Sequence, residues 1–145
     1  MHAAFVLGSN PANARDETAL SADPVTADLM GQIVLTDDNA APVTLADDLE
    51  FLVPNLCLRA PVTLAAEGSA LVTMASWPGS VTLVRDGEAI RLLDQDETEL
   101  GRFPAAALTA ALRDCAGRFR DYIGALAEAD PEWGAFHAML TREGA

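Results

Sequence analysis

The segment Ser80–Leu93 places an Asp-Gly dipeptide between two short apolar runs, and this pattern constrains the fold more than any other part of the sequence. Asp86-Gly87 favours the positive φ angles of a two-residue hairpin turn. With these two residues as the loop, Leu83 would pair with Ile90. The same register places on one apolar face Val81, Leu83, Ile90 and Leu92. Turn chemistry and hydrophobic pattern therefore predict the same antiparallel hairpin.

Further strands are predicted on both sides of this hairpin. Runs separated by turn signals predict an antiparallel meander over Val62–Ala66, Ser69–Ser76, Ser80–Arg85 and Glu88–Leu93. Upstream, short strands are predicted over Ala3–Gly8, Gly31–Thr36 and Pro42–Ala46, the last two joined by a turn at Asp37-Asp38-Asn39. Between these groups, Asp47 or Asp48 is expected to cap a short helix over residues 47–53 that ends at Pro54, with extended chain beyond it.

The last third of the chain has the pattern of helices. Pro104 suits the first turn of a long helix. Its apolar stripe recurs at spacings of three and four, at Leu108, Leu112, Cys115, Phe119, Tyr122, Ile123 and Leu126. Asp130-Pro131-Glu132 begins a second, shorter helix. We therefore expect one α+β domain over residues 1–145, with an irregular loop at 9–29 and the long helix packed on one face of the antiparallel sheet.

The charge balance is strongly acidic. The chain has 22 acidic residues against 9 basic ones and a net charge of −13. All nine basic residues are arginine. Such a chain is a poor candidate for binding nucleic acid or an anionic membrane surface, because both need cationic protein surface. It would favour a basic protein partner, although an acidic surface that only keeps the protein soluble is an equally good explanation.

The sequence contains no recognisable catalytic or cofactor motif. Without lysine, a P-loop and Schiff-base chemistry are excluded. His2 and His137 are the only histidines, and no ligand spacing for a transition metal is present. We therefore expect no cofactor. Cys57 and Cys115 are expected to be reduced and buried in a cytoplasmic protein, since the N-terminus lacks the features of a signal peptide and no stretch approaches the ~20 apolar residues of a membrane helix.

Two kinds of residue remain as candidates for binding a partner. The first are the acidic loops, with Asp37 and Asp38 in one and Asp94, Asp96, Glu97 and Glu99 in the other. These carboxylates, and those of Asp47, Asp48 and Glu50, lack the EF-hand spacing for Ca²⁺, but two of them could converge as an acid/base pair. The second is Trp77, at a predicted turn. A turn aromatic more often covers the end of a sheet, and otherwise it is exposed as an interface anchor.

Residues 48–126 resemble the small immunity proteins of bacterial polymorphic toxin systems. The resemblance lies in Leu49–Pro54 before the meander, in the hairpin Val81–Leu92, and in Phe103-Pro104 leading into the long helix. It covers about half of the chain and includes no diagnostic motif. It implies a cytoplasmic antitoxin that binds one toxin domain and blocks its active site or its access to substrate.

Two other classes remain open from the sequence. The first is an acidic chaperone or adaptor of the secretion type, which would bind an unfolded segment along its sheet and is usually dimeric. The second is a small-ligand binder or an enzyme with carboxylate chemistry. That class requires a deep pocket that contains carboxylates of shifted pKa.

Overall fold

A computed structural model of the chain describes residues 1–8, 12–20 and 28–145. The strands are β1 His2–Leu7, β2 Arg15–Asp16, β3 Met30–Asp37, β4 Ala40–Asp48, β5 Ser69–Thr73, β6 Ser80–Asp86, β7 Ala89–Leu93 and β8 Glu99–Pro104. The helices are α1 Leu49–Leu52, α2 Ala60–Glu67, α3 Ala105–Ala129 and α4 Gly134–Arg142. A π-helical segment, Val53–Arg59, joins α1 to α2, and one 3₁₀ turn, Pro131–Trp133, precedes α4. The predicted α+β class is confirmed.

The strands form two four-stranded antiparallel sheets, where the sequence predicted one. The first sheet has the order β2-β1-β3-β4. Its β3–β4 hairpin turns at Asp38-Asn39, as predicted, and Asp37 pairs with Ala40. Every second side chain along its strands points to the inner face, which buries Phe5, Ile33, Leu35, Val43 and Leu45. The expected loop over residues 9–29 contains β2, while residues 9–11 and 21–27 lie outside the described residues.

The second sheet has the order β5-β6-β7-β8 and contains three of the four strands of the predicted meander, β5, β6 and β7. Its central hairpin has the predicted buried face but a different register, because Leu83 pairs with Leu92 and Asp86 pairs with Ala89. The turn residues are therefore Gly87 and Glu88. Gly87 has φ 61° and Glu88 has no positive φ, which is the pattern of a type II′ turn with glycine at its first central position. Asp86 is then the last residue of β6 and has no positive φ.

The predicted strand Val62–Ala66 is wrong, since these residues belong to α2. Pro61 lies in the first turn of α2, and Gly68 ends the helix at φ 80° with its N–H bonded to the Leu64 carbonyl. Glu67-Gly68 is thus a helix C-cap and not a hairpin turn. The expected helix after Asp48 is confirmed, because the Asp48 carboxylate accepts a hydrogen bond from the Glu50 N–H.

The extended chain expected beyond Pro54 is also wrong. Pro54 lacks the N–H that an α-helix would use, and the helix continues with wider π turns, so that the Ala60 N–H bonds to the Asn55 carbonyl. The continuous helical stretch Leu49–Glu67 is long and apolar enough to span a membrane by length and composition, although no such stretch was expected from the sequence. It is 56% buried inside the protein, as is usual for a core helix.

The fourth strand of the second sheet, β8, was not predicted. Residues 94–99 were expected to form a loop, but the loop ends at Thr98 and Glu99 already pairs with Leu93. The helix after it begins close to where Pro104 predicted, at Ala105.

The long helix α3 packs against β1, the π-helical segment and α4. Its predicted apolar stripe is buried except at Tyr122, which is half-buried. Phe119 of α3 contacts Phe5 of β1 edge to face, with ring centroids 5.3 Å apart. The two sheets meet along β4 and β8, where Val43 lies against Gly101. Side chains from both sheets and from the helices form one contiguous hydrophobic cluster, which places the loops between strands at its rim.

Candidate partner-binding surface

The loop between β5 and β6, residues 74–79, is held by a buried carboxylate. Asp47 is 1% exposed and accepts hydrogen bonds from the Ala75 N–H at 2.9 Å, from the Ser76 N–H at 2.8 Å and from the Ser76 hydroxyl at 2.6 Å. Burial alone would raise the pKa of Asp47. These hydrogen bonds outweigh burial and hold the pKa below its ordinary value, so the side chain is a carboxylate near neutral pH. A loop with these bonds is fixed to β4.

Trp77 is at the tip of this loop, and its ring has one fixed orientation. Its indole N–H donates a hydrogen bond of 2.9 Å to the Ala46 carbonyl. The ring lies against Gly79, so closely that a Cβ at Gly79 would be 1.7 Å from a ring carbon. The side chain nevertheless remains 43% exposed. Trp77 therefore covers part of the loop, as a turn aromatic usually does, and also offers a rigid aromatic surface to solvent.

The loop between β7 and β8, residues 94–98, is tight and acidic. The Asp94 carboxylate accepts hydrogen bonds from the N–H groups of Asp96 and Thr98, each 2.9 Å long. Glu97 has a positive φ of 64°, which brings the chain back towards β8. The Asp94 carboxylate is engaged in hydrogen bonds within the loop, whereas the side chains of Asp96 and Glu97 are exposed at the tip of the loop.

These two loops are neighbours at the same end of the second sheet. The Ser80 N–H, at the end of the first loop, bonds to the Gln95 side-chain oxygen in the second at 3.4 Å. We call residues 74–79 and 94–98 together the loop-end surface. It combines one rigid exposed tryptophan with two exposed carboxylates, and no basic residue occurs in either segment.

Glu99 has a different environment from the other acids of its run. Its carboxylate pairs with Arg91 at 2.8 Å and with Arg102 at 3.3 Å, and Arg102 also pairs with Asp86 at 2.9 Å. The hydrogen bond from Arg91, followed by the nearby charge of Arg102, lowers the pKa of Glu99. Its charge is thus compensated by the sheet, and Glu99 adds little negative potential to the loop-end surface.

The structure does not bring Asp37 and Asp38 to this surface. They are at the β3–β4 turn, whereas Asp47, which holds the loop of Trp77, is at the opposite end of β4. The separation along the strand is roughly 25 Å at about 3.3 Å per residue. The two acidic groups predicted from the sequence therefore belong to different surfaces of the protein.

Sequence reasoning did not predict that Asp47 and Gln95 organise the loop-end surface. Asp47 was considered as an alternative helix cap and in an acidic group with Asp48 and Glu50, but not as the residue that holds a distant loop, because its partners Ala75 and Ser76 are 28 and 29 residues away. The available signal was the adjacent Asp47-Asp48 pair. Only one of two neighbouring carboxylates can cap the helix, and the other needs a partner if it is buried.

The two cysteines and His137 were also considered from the sequence, and the structure places them in contacts within the fold. The Cys57 and Cys115 side chains meet in the core as free cysteines, and a hydrogen bond between them and burial raise the pKa of Cys57. His137 lies against Gly124 at the α3–α4 contact, in an open groove that Asp121 and Glu128 also line. Among residues 1–8, 12–20 and 28–145, no cluster of three or more histidine, cysteine or acidic side chains is arranged to hold a metal ion.

We compared the chain with protein-family models, curated proteins and solved structures, and no match was found.

Proposed function

We propose that the protein is a protein-binding inhibitor of the immunity-protein kind, which binds a basic toxin domain through the loop-end surface. The observation that carries the proposal is the geometry of Trp77, a tryptophan that is 43% exposed and yet held by a hydrogen bond to Ala46 and by contact with Gly79. A side chain held in this way loses little conformational entropy when a partner covers it. Tryptophan is enriched among the residues that contribute most to binding once a partner covers them.

The charge of the protein supports a basic partner. Asp96 and Glu97 are exposed beside the loop of Trp77, and the whole chain carries a net charge of −13. Complementary charge speeds the encounter of two proteins and orients them before contact. A toxin domain that acts on nucleic acid needs a cationic substrate site, and an acidic inhibitor that occupies this site would exclude the substrate.

The alternative of a carboxylate-based enzyme has less support. The one buried carboxylate of the described residues is Asp47, and its three hydrogen bonds go to the loop that it holds. Its pKa is lowered, whereas a general acid needs a raised one. The chaperone alternative predicts a dimer, which light scattering would detect.

The proposal is tested by affinity capture with the tagged full-length protein in a lysate of its own host, at low and high salt. We expect one stoichiometric basic partner that high salt releases and whose activity the purified protein abolishes at equal concentration. Trp77→Ala should weaken binding of the purified partner by about thirtyfold or more. The double variant Asp96→Asn/Glu97→Gln should slow association several-fold and reduce its salt dependence.

Asp38→Asn is the matched control, because it removes one exposed carboxylate at the far end of β4 and should bind like the wild type. A captured partner whose affinity is the same for the wild type and both loop-end variants would refute this binding surface. Capture of no partner at either salt concentration would refute the function.

A further inference from the structure

The outer strand β5 leaves one edge of the second sheet open. Elsewhere in the described residues, neighbouring elements contact the outer strands. β4 and β8 adjoin each other where Val43 contacts Gly101, and β1 is covered by β2 and, beyond it, by Glu17 and Arg118. Within the described residues, no strand pairs with β5 on the side away from β6. Proteins normally protect such an edge with charged residues, proline or a bulge, and Ser69–Thr73 contains none of these.

The register of the sheet determines which main-chain groups point to this edge. The Met74 N–H bonds to the Gly79 carbonyl, and the Arg85 N–H bonds to the Gly68 carbonyl. In the β5–β6 register, Met74 lies directly opposite Gly79 and Gly68 lies directly opposite Arg85, so both are hydrogen-bonded pairs. Along an antiparallel ladder, hydrogen-bonded pairs alternate with non-hydrogen-bonded ones. Ala70 and Val72 therefore bond to β6. The N–H and carbonyl groups of Leu71 and Thr73 point away from β6, and no other described residue bonds to them.

A groove follows the open edge. It has a volume of about 260 Å³ and lies between the strand and the helical stretch before it, with Ala70–Thr73 on one side and Asn55, Arg59, Ala60 and Thr63 on the other. An edge strand flanked by a helix is the arrangement into which extended peptides bind as an additional strand. Leu71 on β5 is 67% exposed and Val62 on α2 is 64% exposed, which are the highest values among the large hydrophobic side chains described.

We propose that β5 is the docking site for an extended, basic peptide segment of another protein, which adds to the second sheet as a fifth strand. Main-chain hydrogen bonds to Leu71 and Thr73 would hold the peptide, and an apolar side chain of the peptide would cover Leu71. This site is separate from the loop-end surface and does not depend on the function proposed for it.

Charge complementarity indicates that the peptide carries a positive charge. The only cation that lines the groove is Arg59, and its guanidinium is already bonded to Glu143 at 2.9 Å and to Asn55 at 2.8 Å. No uncompensated charge lines the groove, so the acidic character of the protein, with its net charge of −13, favours a cationic segment. The same charge opposes pairing with a second copy of this chain, which carries −13 as well.

The experiment selects peptides from a phage-displayed random library on the immobilised full-length protein. Enriched peptides are then synthesised, and their affinities are measured by fluorescence anisotropy. We expect them to be positively charged and to alternate apolar and polar residues. In hydrogen exchange, the amides of Leu71 and Thr73 should exchange quickly in the free protein and become protected on binding. Those of Ala70 and Val72 should be protected in both states.

Leu71→Pro tests the site directly, because it removes an N–H that points to the open edge and not to β6. Proline is tolerated at such edge positions, so this variant should fold and should bind the peptides about tenfold more weakly or worse. Leu71→Val keeps both the N–H and an apolar side chain, so it should bind the peptides about tenfold more tightly than Leu71→Pro. Trp77→Ala should leave it unchanged, which separates this site from the loop-end surface.

Three results would overturn the proposal. The first is a selection in which no peptide is enriched, and the second is peptide binding that survives Leu71→Pro. The third is a dimer in light scattering with protected Leu71 and Thr73 amides, because a second copy would then occupy the edge. Even if Leu71→Pro does not fold, hydrogen exchange of the wild type shows whether a bound peptide protects the amides of Leu71 and Thr73.

Discussion

Arg118 of α3 and Glu17 form an ion pair of 2.6 Å that closes the edge of β1, although the two residues are 101 positions apart in sequence. Arg118 also donates a hydrogen bond to the Ala3 carbonyl, and Glu17 accepts one from the Phe5 N–H at 3.3 Å. The two side chains thus bond to main-chain groups that a neighbouring strand would otherwise satisfy. The hydrogen bond that Arg118 donates to Glu17 raises the pKa of Arg118 and so favours its charged form.

The first prediction concerns this pair. A double-mutant cycle with Arg118→Ala and Glu17→Ala should give a coupling free energy of about 1 kcal/mol, because the pair is part-buried and bonded to main chain. Urea unfolding of the four proteins measures it, and high salt should reduce it only in part. Arg120 and Asp121, an ion pair with a 72% exposed carboxylate, provide the control cycle. Equal coupling in the two cycles would mean that bonding to β1 adds no stability.

The second prediction concerns Asp47. Asp47→Ala should lower the free energy of unfolding by about 2–4 kcal/mol, since it leaves the N–H groups of Ala75 and Ser76 without an acceptor. The pKa of Asp47 in the folded protein is below its ordinary value of 3.8. Its contribution is therefore fully present above about pH 4 and is lost as the pH falls through the folded pKa.

The stability difference between the wild type and Asp47→Ala should accordingly shrink at about pH 3 and below, as measured by urea unfolding. Asp48→Ala is the comparison, because the Asp48 carboxylate only caps a helix and should cost about 1 kcal/mol. A difference that is constant between neutral pH and pH 3 would contradict the role of the Asp47 carboxylate.

The third prediction concerns Gly79. Gly79→Ala adds a Cβ in the space of the Trp77 ring, while the backbone of Gly79 has no positive φ and accepts alanine without strain. The ring should therefore leave Gly79, and the hydrogen bond to Ala46 should break. In a Trp133→Phe background, the fluorescence of Trp77 should shift to the red and should be quenched more strongly by iodide.

Gly117→Ala is the matched change, because a Cβ at Gly117 meets no atom within 4 Å. It should leave the emission of Trp77 unaltered. If Gly79→Ala also leaves emission and quenching unaltered, the ring is not held as described.

The fourth prediction concerns the two cysteines. Both side chains are at most 1% exposed, and the pKa of Cys57 is raised. Because the thiolate is the reactive form, neither cysteine should react with Ellman's reagent until the protein opens. We expect the native rate to be at least about a thousandfold below the rate in urea, where two thiols should titrate. Rapid reaction of one thiol under native conditions would show that the core opens locally.

Local turn chemistry explains which parts of the fold were predictable. The β3–β4 hairpin and the β6–β7 hairpin carry their turn residues in the sequence, and the Asp130 cap and the stripe of α3 are equally local. The strand predicted over Val62–Ala66 failed because Glu67-Gly68 suits a hairpin turn and a helix C-cap equally well. β8 was missed because it contains few residues that favour strands. Its conformation depends on pairing with β7 and on contact with Val43.

The candidate site was predictable only in part, for a similar reason. Trp77, Asp96 and Glu97 could each be recognised as residues of exposed turns. The order of the strands places their two loops at one end of the sheet, and the Gln95 contact with Ser80, which links the loops, is not contained in a pattern of neighbours in sequence. The same limit prevented any distinction between Asp37 and Asp38, at a remote turn, and the acids that accompany Trp77.

The order β5-β6-β7-β8 also bears on how the chain folds. Each strand of this sheet pairs with the next one along the chain, so every loop that must close to form it is short. The edge of β1 is instead closed only when Glu17 contacts Arg118, which is 101 positions away in sequence. We therefore expect a transition state in which the second sheet is largely formed while β1 and α3 are still apart. Substitutions in the β6–β7 hairpin should then slow folding, whereas loss of the Glu17–Arg118 pair should mainly speed unfolding.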